Sequence, residues 1–538
     1  MGSAKKELPV MDKSRSGLTL KPFYSADDRA NGNQEVPGTY PFTRGRLRPP
    51  SADAGWIHRE LSGEGDAHRS NEQLQYLLGI GQTGVDVIGD SPTQSMVDPD
   101  HPLVRHSVGT QGVSLCCKQD YLDLFRNIPL DRISISSSVP SIFALTGLLG
   151  AVEAFGIARN KVRGSVLQPP LYCSDAAYSC GMPVDLLSRL SVDTMEYSAR
   201  ELPRFHAYVE DTYFFSECGL NAIEEMALGF VQIRHLVRAV RKRGVAVDSF
   251  APRIAILVNC SMDFFEEIAK IRATRRYFAR MMKEEFGALD PRSLSAVITS
   301  HTSGLTLSAQ QPINNVIRGT TQGLALALAG VQAMEISAFD EGFRTPSAEA
   351  HLTAIRTQQI LSLETGIGKV ADPLGGSYYV EALTDEIEAR IGAMVAEIEA
   401  EGDPVELAER GYFRKIFHRA SEQHASSLAS GEHKIVGVNC HEMSREQDTM
   451  LRDIAERKIE PFRAHIEKIR RFRAERSQDP VRRALRHVHA QALIRDANLV
   501  PAVRAGLDAG ATMGELAGAM RLAYDTPYDP LGALQPDF

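Results

Sequence analysis

The sequence lacks the features that mark exported, disulfide-stapled or membrane-bound proteins. Its seven cysteines include no C-x-x-C pair, so neither a disulfide framework nor a zinc site is supported. The N-terminus has no apolar signal-peptide core, and the most apolar stretch, residues 142–158, is interrupted by Thr146 and Glu153 and is too short to span a bilayer. We therefore expect a cytoplasmic protein with small buried thiols, no metal and no membrane partner.

The chain also lacks a strong charge of either sign. Its 538 residues have a net charge of −8, with 43% hydrophobic and 24% charged residues, as in an ordinary globular protein. The basic segment 460–493 is interpreted as a solvated helical face rather than a nucleic-acid site. No nucleic-acid partner is expected.

Strand-like segments alternate with helix-like ones over much of the chain, which predicts an α/β fold. Eight such units over roughly 300 residues favour a (β/α)8 TIM barrel. A doubly wound sheet is the alternative, because the pattern does not show whether the sheet closes. The predicted strands are 84–90, 132–138, 164–169, 206–215, 253–260, 293–299, 333–339 and 376–381.

The predicted organisation has four segments. Residues 1–36 form a flexible N-terminal segment, and 37–83, rich in proline, glycine and arginine, wrap the barrel. Residues 84–385 form the barrel, and 386–538 form a C-terminal helical region.

The predicted second strand, RISISSS, places Ser134, Ser136 and Ser138 on one face. If these serines point inward, they leave the axis of the barrel underfilled and able to admit a ligand, because barrel interiors are normally packed with branched apolar side chains. If they point outward, they meet the surrounding helices. The pattern alone leaves both orientations open.

Several collinear segments resemble the adenosylcobalamin-dependent acyl-CoA mutases, the methylmalonyl-CoA mutase family. The likeness covers about residues 37–525, and the RTQQI form is similar to the isobutyryl-CoA type. The segments are PGTYPFTRG, YLLGIGQTGVDVIGDSPTQSMVDPDHP, IPLDRISISSS, TSGLTLSAQQPINNVIRGT, FDEGFRTPSAEA, AIRTQQILSLETGIGKVADPLGGSYYVEALT and ATMGELAGAMR.

The resemblance implies a barrel threaded by the pantetheine arm of coenzyme A, with Ser136, Ser138 and Ser165 lining the tunnel. It also implies a radical carbon-skeleton rearrangement with adenosylcobalamin. The D-x-H-x-x-G segment of the family's cobalamin domain does not occur in these residues. We therefore expect a large subunit that forms a homodimer within a heterotetramer, with the cofactor held mainly by a separate small subunit.

The resemblance also assigns candidate roles to single residues. Arg59 and Arg253 match arginines that contact coenzyme A and its phosphates, a role that suits the guanidinium fork. Glu341 matches an acid that binds the adenosyl ribose, and Ser337 stands where the family has a nearby asparagine.

At the predicted reacting end, the chain departs from the family. Tyr213 is retained, but Phe214 replaces the histidine that bonds the thioester carbonyl, and His301 replaces a glutamine. Leu61 replaces an aromatic wedge, and Ala177 replaces the arginine that binds the substrate carboxylate. These changes predict an uncharged, hydrophobic or branched acyl group. A non-catalytic partner chain is the alternative, and a CoA lyase is a more distant one.

Overall fold

A computed structural model describes residues 13–19, 35–46, 55–168, 170–176, 181–444, 446–451 and 460–538. Its described part contains one nine-stranded sheet in which all pairings are parallel. The strands are β1 (Ile57–Arg59), β2 (Leu61–Ser62), β3 (Gly84–Val87), β4 (Ser134–Ser137), β5 (Arg163–Leu167), β6 (Phe205–Asp211), β7 (Ile254–Cys260), β8 (Val297–Thr302) and β9 (Ala333–Glu335).

The sheet closes through its first segment. β1 pairs with β9 and β2 pairs with β3, while Glu60 alone separates β1 from β2. Residues 57–62 therefore act as one strand that joins the two ends of the sheet. This closure confirms the predicted (β/α)8 barrel and excludes the doubly wound alternative.

A helix follows each strand of the barrel and covers its outside. The eight principal ones are Ala67–Gly79, Lys118–Leu124, Ser141–Ala154, Val184–Glu201, Ala222–Lys242, Phe264–Arg280, Asn314–Ala329 and Ala348–Leu363. Short helices lie at Ser91–Gln94, Cys173–Ala176, Tyr213–Glu217, Val247–Phe250 and Pro291–Leu294. The main hydrophobic core lies between the strands and these helices.

The chain after the barrel is helical, as its sequence predicts. The helices are Tyr378–Glu401, Pro404–Glu409, Tyr412–Ser430, Arg463–Glu475, Gln478–Leu493, Val500–Asp508 and Met513–Leu522. No described helix has the length and apolar character needed to cross a membrane. None of the six cysteines within the described part of the chain forms a disulfide bond.

The strand prediction is wrong at both ends of the barrel, because it includes one segment that is a helix and omits the first strand. Residues 376–381 start a helix instead, because Ser377 caps it by accepting a hydrogen bond from the N–H of Val380, and buried side chains then recur with helical spacing. The β-favouring Tyr-Tyr-Val run is overridden by that longer pattern. The first barrel strand lies at 57–62, in the stretch interpreted as wrapping. The predicted strand 206–215 ends at Asp211, where the chain turns into a short helix.

The serines face the interior of the barrel. Asp86, Ser136 and Ser165 are register partners on β3, β4 and β5, so their side chains share one face of the sheet. Asp86 reaches Glu335 on β9, on the far side of the first strand, which identifies that face as the inner one. The Ser165 hydroxyl donates to the Ser136 hydroxyl at 3.0 Å, while Ile135 packs into the main core outside. The inward orientation is confirmed and the outward one is wrong.

Apolar filling of the interior is limited. Leu167, Val209 and Ala255 form a small buried cluster separate from the main core, with Leu257 and Val297 beside it. Leu257 is partly exposed although it lies in the middle of β7. The inner wall is therefore incompletely covered by side chains at this position.

A buried ion cluster outside the sheet holds the carboxyl ends of β6 and β7. The Lys270 ammonium lies 2.8 Å from a Glu225 oxygen and 2.6 Å from a Glu267 oxygen, and it donates to the Asn259 carbonyl. Glu225 also accepts from the Thr212 hydroxyl and the Asn259 N–H, both at 3.0 Å. The cluster therefore fixes the backbone from which the residues of the carboxyl-end rim project.

Replacing Lys270 by methionine leaves two carboxylates buried without their cation. We expect the free energy of unfolding to fall by about 3–5 kcal/mol. Arg292→Ala is the control, since its ion pair with Asp290 is largely exposed and should contribute little to stability. Urea unfolding of both variants tests this, and equal stabilities would contradict the role given to Lys270.

Candidate functional site

Polar side chains converge in the carboxyl half of the barrel interior, where the active sites of such barrels lie. Asp211 and Glu335 are the last residues of β6 and β9, His301 is the penultimate residue of β8, and Asp86 is the third residue of β3. All four are buried. Four separate strands thus bring three carboxyl groups and an imidazole together.

The carboxyl groups hold protons more tightly than exposed acids do. Burial and the neighbouring Asp86 raise the pKa of Glu335 well above its usual value, and the two carboxyls are hydrogen-bonded to each other. That bond requires one of them to carry a proton. Burial raises the pKa of Asp211 to about 8, although the backbone N–H groups of Phe214 and Tyr213 oppose the shift.

His301 lies in this group without a close partner. Its Nε2 is 3.8 Å from Glu335 and 3.9 Å from Glu341, beyond hydrogen-bonding distance. Neither ring nitrogen has a hydrogen-bond partner among the described residues. Burial lowers the pKa of His301 to about 4, so the ring is neutral near pH 7 with one donor and one acceptor available.

Two aromatic residues from the helix after β6 border the same space. The Tyr213 ring meets the His301 ring edge-on, with 4.8 Å between centroids, and lies 5.5 Å from the Phe214 ring. Burial and the acids Glu217 and Glu341 raise the pKa of Tyr213 well above its usual value, so its hydroxyl keeps its proton. Phe214 also packs against the main core.

A cavity of about 300 Å³ opens at the rim beside this group. Leu61 and Glu341 line it together with Gln111 and Phe343. Burial raises the pKa of Glu341 to about 8, with Glu60 adding to the shift. A larger cavity of about 760 Å³ shares part of the same wall, residues 343–346.

Ser337 follows β9 and is buried. Its hydroxyl donates to the Thr302 carbonyl at 3.0 Å, and its N–H donates to the Thr302 hydroxyl at 2.8 Å. The side chain therefore joins the ends of β8 and β9. Its oxygen lone pairs are its remaining capacity for a ligand.

Arginines gather at the opposite, amino-terminal end of the barrel. Arg59 donates to the Ser134 hydroxyl at 2.7 Å, and Arg253, just before β7, donates to the Pro203 carbonyl at 2.9 Å. Burial lowers the pKa of His206 to about 4, and the positive charges of Arg46, Arg253 and Arg59 lower it further. This end therefore has a cationic cluster.

The predicted site residues fall into groups within the described structure. Tyr213, Phe214 and His301 adjoin at the carboxyl end, with Glu341 and Leu61 at the nearby rim. Arg59 and Arg253 lie toward the amino end, with Ser136 and Ser165 between the two ends. Ser138 is buried just past β4. Ala177 lies outside the described residues.

Sequence reasoning missed Asp86, Asp211, Glu335 and Arg46. The three acids occupy inward positions of predicted strands, and their alternation with apolar neighbours was the available signal. Arg46 arrives from the segment 35–46, where its Nε donates to the Ser295 hydroxyl at 2.9 Å. No local pattern marks that contact.

Comparison with known proteins identifies the family of this chain. The methylmalonyl-CoA mutase family model matches residues 13–526. The chain belongs to the methylmalonyl-CoA mutase family. This membership confirms the family identified from the sequence motifs.

Individual relatives span most of the chain. It is 35% identical over 515 residues to the 2-hydroxyisobutanoyl-CoA mutase large subunit of Aquincola tertiaricarbonis, covering 94% of this chain and 90% of that one. It is 32% identical over 530 residues to methylmalonyl-CoA mutase of Rhizobium meliloti (strain 1021), covering 97% and 74%. The human mitochondrial methylmalonyl-CoA mutase is 29% identical over 510 residues, covering 94% and 68%. These relatives are CoA mutases, which confirms the predicted isomerase class.

The environment of His301 predicts the charge of its ring. We expect the imidazole to stay neutral from pH 8 down to near pH 4, because burial disfavours the imidazolium. Nitrogen chemical shifts of histidine-labelled protein, assigned with His301→Gln, report this directly. A titration midpoint near the ordinary histidine value would show that the ring is solvated or paired with an ionised acid.

Proposed function

We propose that this chain is the large, substrate-binding subunit of an adenosylcobalamin-dependent acyl-CoA mutase. The proposed reaction is the carbon-skeleton rearrangement of a branched acyl-CoA that carries no carboxylate on its acyl group. One observation carries the proposal most strongly. A small-residue, polar interior connects a cluster of arginines at one end of the barrel to acids, a tyrosine and a neutral histidine at the other.

The amino-terminal arginines support coenzyme A binding. Arg46, Arg59 and Arg253 act on His206 together, and no acid figures among the groups that shift its pKa. Guanidinium groups pair with phosphates in a fork geometry. Ser136 and Ser165 then offer hydroxyls along the axis, where a pantetheine arm with its amides would lie.

The rim at the carboxyl end suits the adenosyl part of the cofactor. Glu341 presents a carboxyl group to the cavity of about 300 Å³, and Ser337 retains acceptor lone pairs behind it. Hydroxyls of a ribose would satisfy both. When bound, adenosylcobalamin supplies the homolytic chemistry that removes a hydrogen atom from the substrate and returns it.

The chain's own residues would orient the thioester and exclude water. Tyr213 keeps its proton and His301 is neutral, so each offers one hydrogen-bond donor to a thioester carbonyl. Phe214 has no donor and contributes an apolar wall. A dry, enclosed site protects a reactive intermediate from side reactions.

A separate cobalamin subunit is part of the proposal. The relative from Aquincola tertiaricarbonis is named a large subunit, and its alignment with this chain covers 90% of its length. The two rim cavities supply an open surface at the carboxyl ends of the strands for such a partner. We further propose a homodimer of this chain with two small subunits, in the cytoplasm.

The acyl group is proposed to lack a carboxylate for an electrostatic reason. Asp86, Asp211 and Glu335 line the carboxyl half of the interior, and Glu341 stands at its rim. A carboxylate there would be desolvated beside these acids, and Arg59, the cation that acts on Glu335, is proposed to bind coenzyme A. Leu61 and Phe214 supply apolar surface for a branch of the acyl chain.

Removing either arginine tests the binding of coenzyme A. Arg59→Ala and Arg253→Ala should each weaken CoA binding by about 1.5–3 kcal/mol if they bond phosphate. Pantetheine lacks the phosphates, so its affinity should change little. Calorimetric titration of both ligands measures this, with Arg470→Ala as an exposed arginine control. Unaltered CoA affinity in both variants would remove the phosphate role.

Turnover tests the reaction itself. The complex purified from source cells through a tag on this chain, supplied with adenosylcobalamin, should convert isobutyryl-CoA at a kcat/KM about 100-fold or more above that for methylmalonyl-CoA, because the added carboxylate costs several kcal/mol. Mass spectrometry of the products reports this. Comparable turnover of methylmalonyl-CoA would contradict the acyl assignment, and CoA binding without turnover of any thioester would favour the non-catalytic partner chain.

A further inference from the structure

The carboxyl half of the barrel interior carries more acid than the proposed handling of a thioester requires. Asp86, Asp211 and Glu335 project into it from three strands, and Arg59 is the cation that acts on Glu335. β4, β5 and β7 add groups that do not titrate, Ser136, Ser165 and Asn259. The titratable groups that face this space are Arg59, Asp86, Asp211, Tyr213, Glu217, His301, Glu335 and Glu341. Glu60 lies on the opposite face of the first strand, where one of its oxygens is 3.4 Å from the His351 ring.

Several of these groups have bonding capacity that the described residues leave unused. Asp211 is 1% exposed, and its Oδ1 has no hydrogen-bond partner among the described residues. His301 is 6% exposed, and neither of its ring nitrogens has a hydrogen-bond partner among those residues. Burying a polar atom without a partner costs free energy. Such atoms in the interior of the barrel are those that a ligand would satisfy.

The arrangement does not suit a bare metal ion. A metal ion is usually held by several His, Cys, Asp or Glu side chains. Within the described chain, one group of three such side chains has its ligand atoms within 4.8 Å of one another: Cys116, Asp120 and His465, which lie outside the barrel. Asp120 there already accepts from the backbone N–H of Cys116 and from Lys468. The interior acids are spread over separate strands, so they fit a cation attached to a longer ligand.

We propose that Asp86, Asp211 and Glu335 bind an ammonium group on the acyl chain, so that the substrate is an aminoacyl-CoA. This inference rests on the proposed function, which places the acyl end of the thioester at the carboxyl ends of the strands. An ammonium brings one positive charge and three donors, a hydroxyl brings one donor without charge, and a methyl group brings neither. The acids therefore discriminate among acyl groups of nearly equal size.

Proton release gives the inference a signature of its own. The raised pKa of Asp211, about 8, and that of Glu335 mean that the empty site holds protons near pH 7. A bound ammonium neutralises the carboxylates in place of these protons. Its binding therefore releases protons to the buffer. A neutral ligand of the same shape has no such effect.

The experiment compares three thioesters that differ in one substituent at C3. These are 3-aminobutanoyl-CoA, 3-hydroxybutanoyl-CoA and 3-methylbutanoyl-CoA, titrated calorimetrically into the full chain beside CoA itself. We expect the amino compound to bind about 10- to 100-fold more tightly than the methyl compound. Repeating the titrations in buffers of different ionisation enthalpy should show proton release for the amino compound alone.

Isosteric variants locate the effect. Asp211→Asn and Glu335→Gln should each reduce the preference for the amino compound and its proton release, while affinity for 3-methylbutanoyl-CoA stays within about twofold. Asp86→Asn provides a third variant should either of these fail to fold. Glu422→Gln, at an exposed helical position, is the control and should change nothing.

The outcomes separate this inference from the proposed function. If CoA binds and the three thioesters bind equally, or if the hydroxyl compound binds best, the ammonium assignment is overturned and the mutase proposal stands. If CoA itself does not bind, the proposed function fails first. A preference for the amino compound that survives all three variants would place the ammonium elsewhere.

Discussion

The structure depends on a barrel that closes around side chains too small and too polar to fill it. Barrels of this kind usually pack their axis with layers of branched apolar residues. Here Ser136 and Ser165 hydrogen-bond to each other on the inner wall, and the buried apolar cluster inside the barrel is small, with Leu167, Val209 and Ala255 at its centre. Most of the apolar burial must then lie outside the strands, where the main core joins them to the helices. The Lys270 cluster adds polar ties at the carboxyl ends, so the rim keeps its shape without support from within.

An underfilled axis also allows opposite charges to be kept apart. Arg46 and Arg253 lie at the amino end and the acids at the carboxyl end, while Arg59 acts on both His206 and Glu335. Inside the barrel such a separation acts over a longer distance than it would in bulk water, because screening is weaker. A ligand with phosphates at one end is therefore held in one direction. The orientation of the ligand is set by the barrel as a whole. No single strand carries both a positive and a negative side chain except the first, where Arg59 and Glu60 are neighbours.

The sequence predicts seven of the barrel strands because each has local alternation or an apolar run. It does not predict 57–62, whose inward residues Ile57, Arg59 and Leu61 mix apolar and charged types, so no hydrophobic period marks it. Closure is a non-local property: this strand is recognised only when β9 and β3 are both in place. The acid group is not predicted from the sequence for the same reason. Asp86 and Glu335 lie far apart in the chain and meet only across the closed sheet.

The sequence resemblance places Phe214 where the family has a histidine, and the structure brings a different imidazole close to that position. His301 comes from β8, yet its ring stands 4.8 Å from that of Tyr213, the neighbour of Phe214. An imidazole therefore stands beside the tyrosine, and it is contributed by β8. Burial keeps this imidazole neutral, so it can donate a hydrogen bond to a carbonyl without delivering a proton. In a site proposed to shield a reactive intermediate, a neutral donor orients the thioester and adds no acid strong enough to quench it.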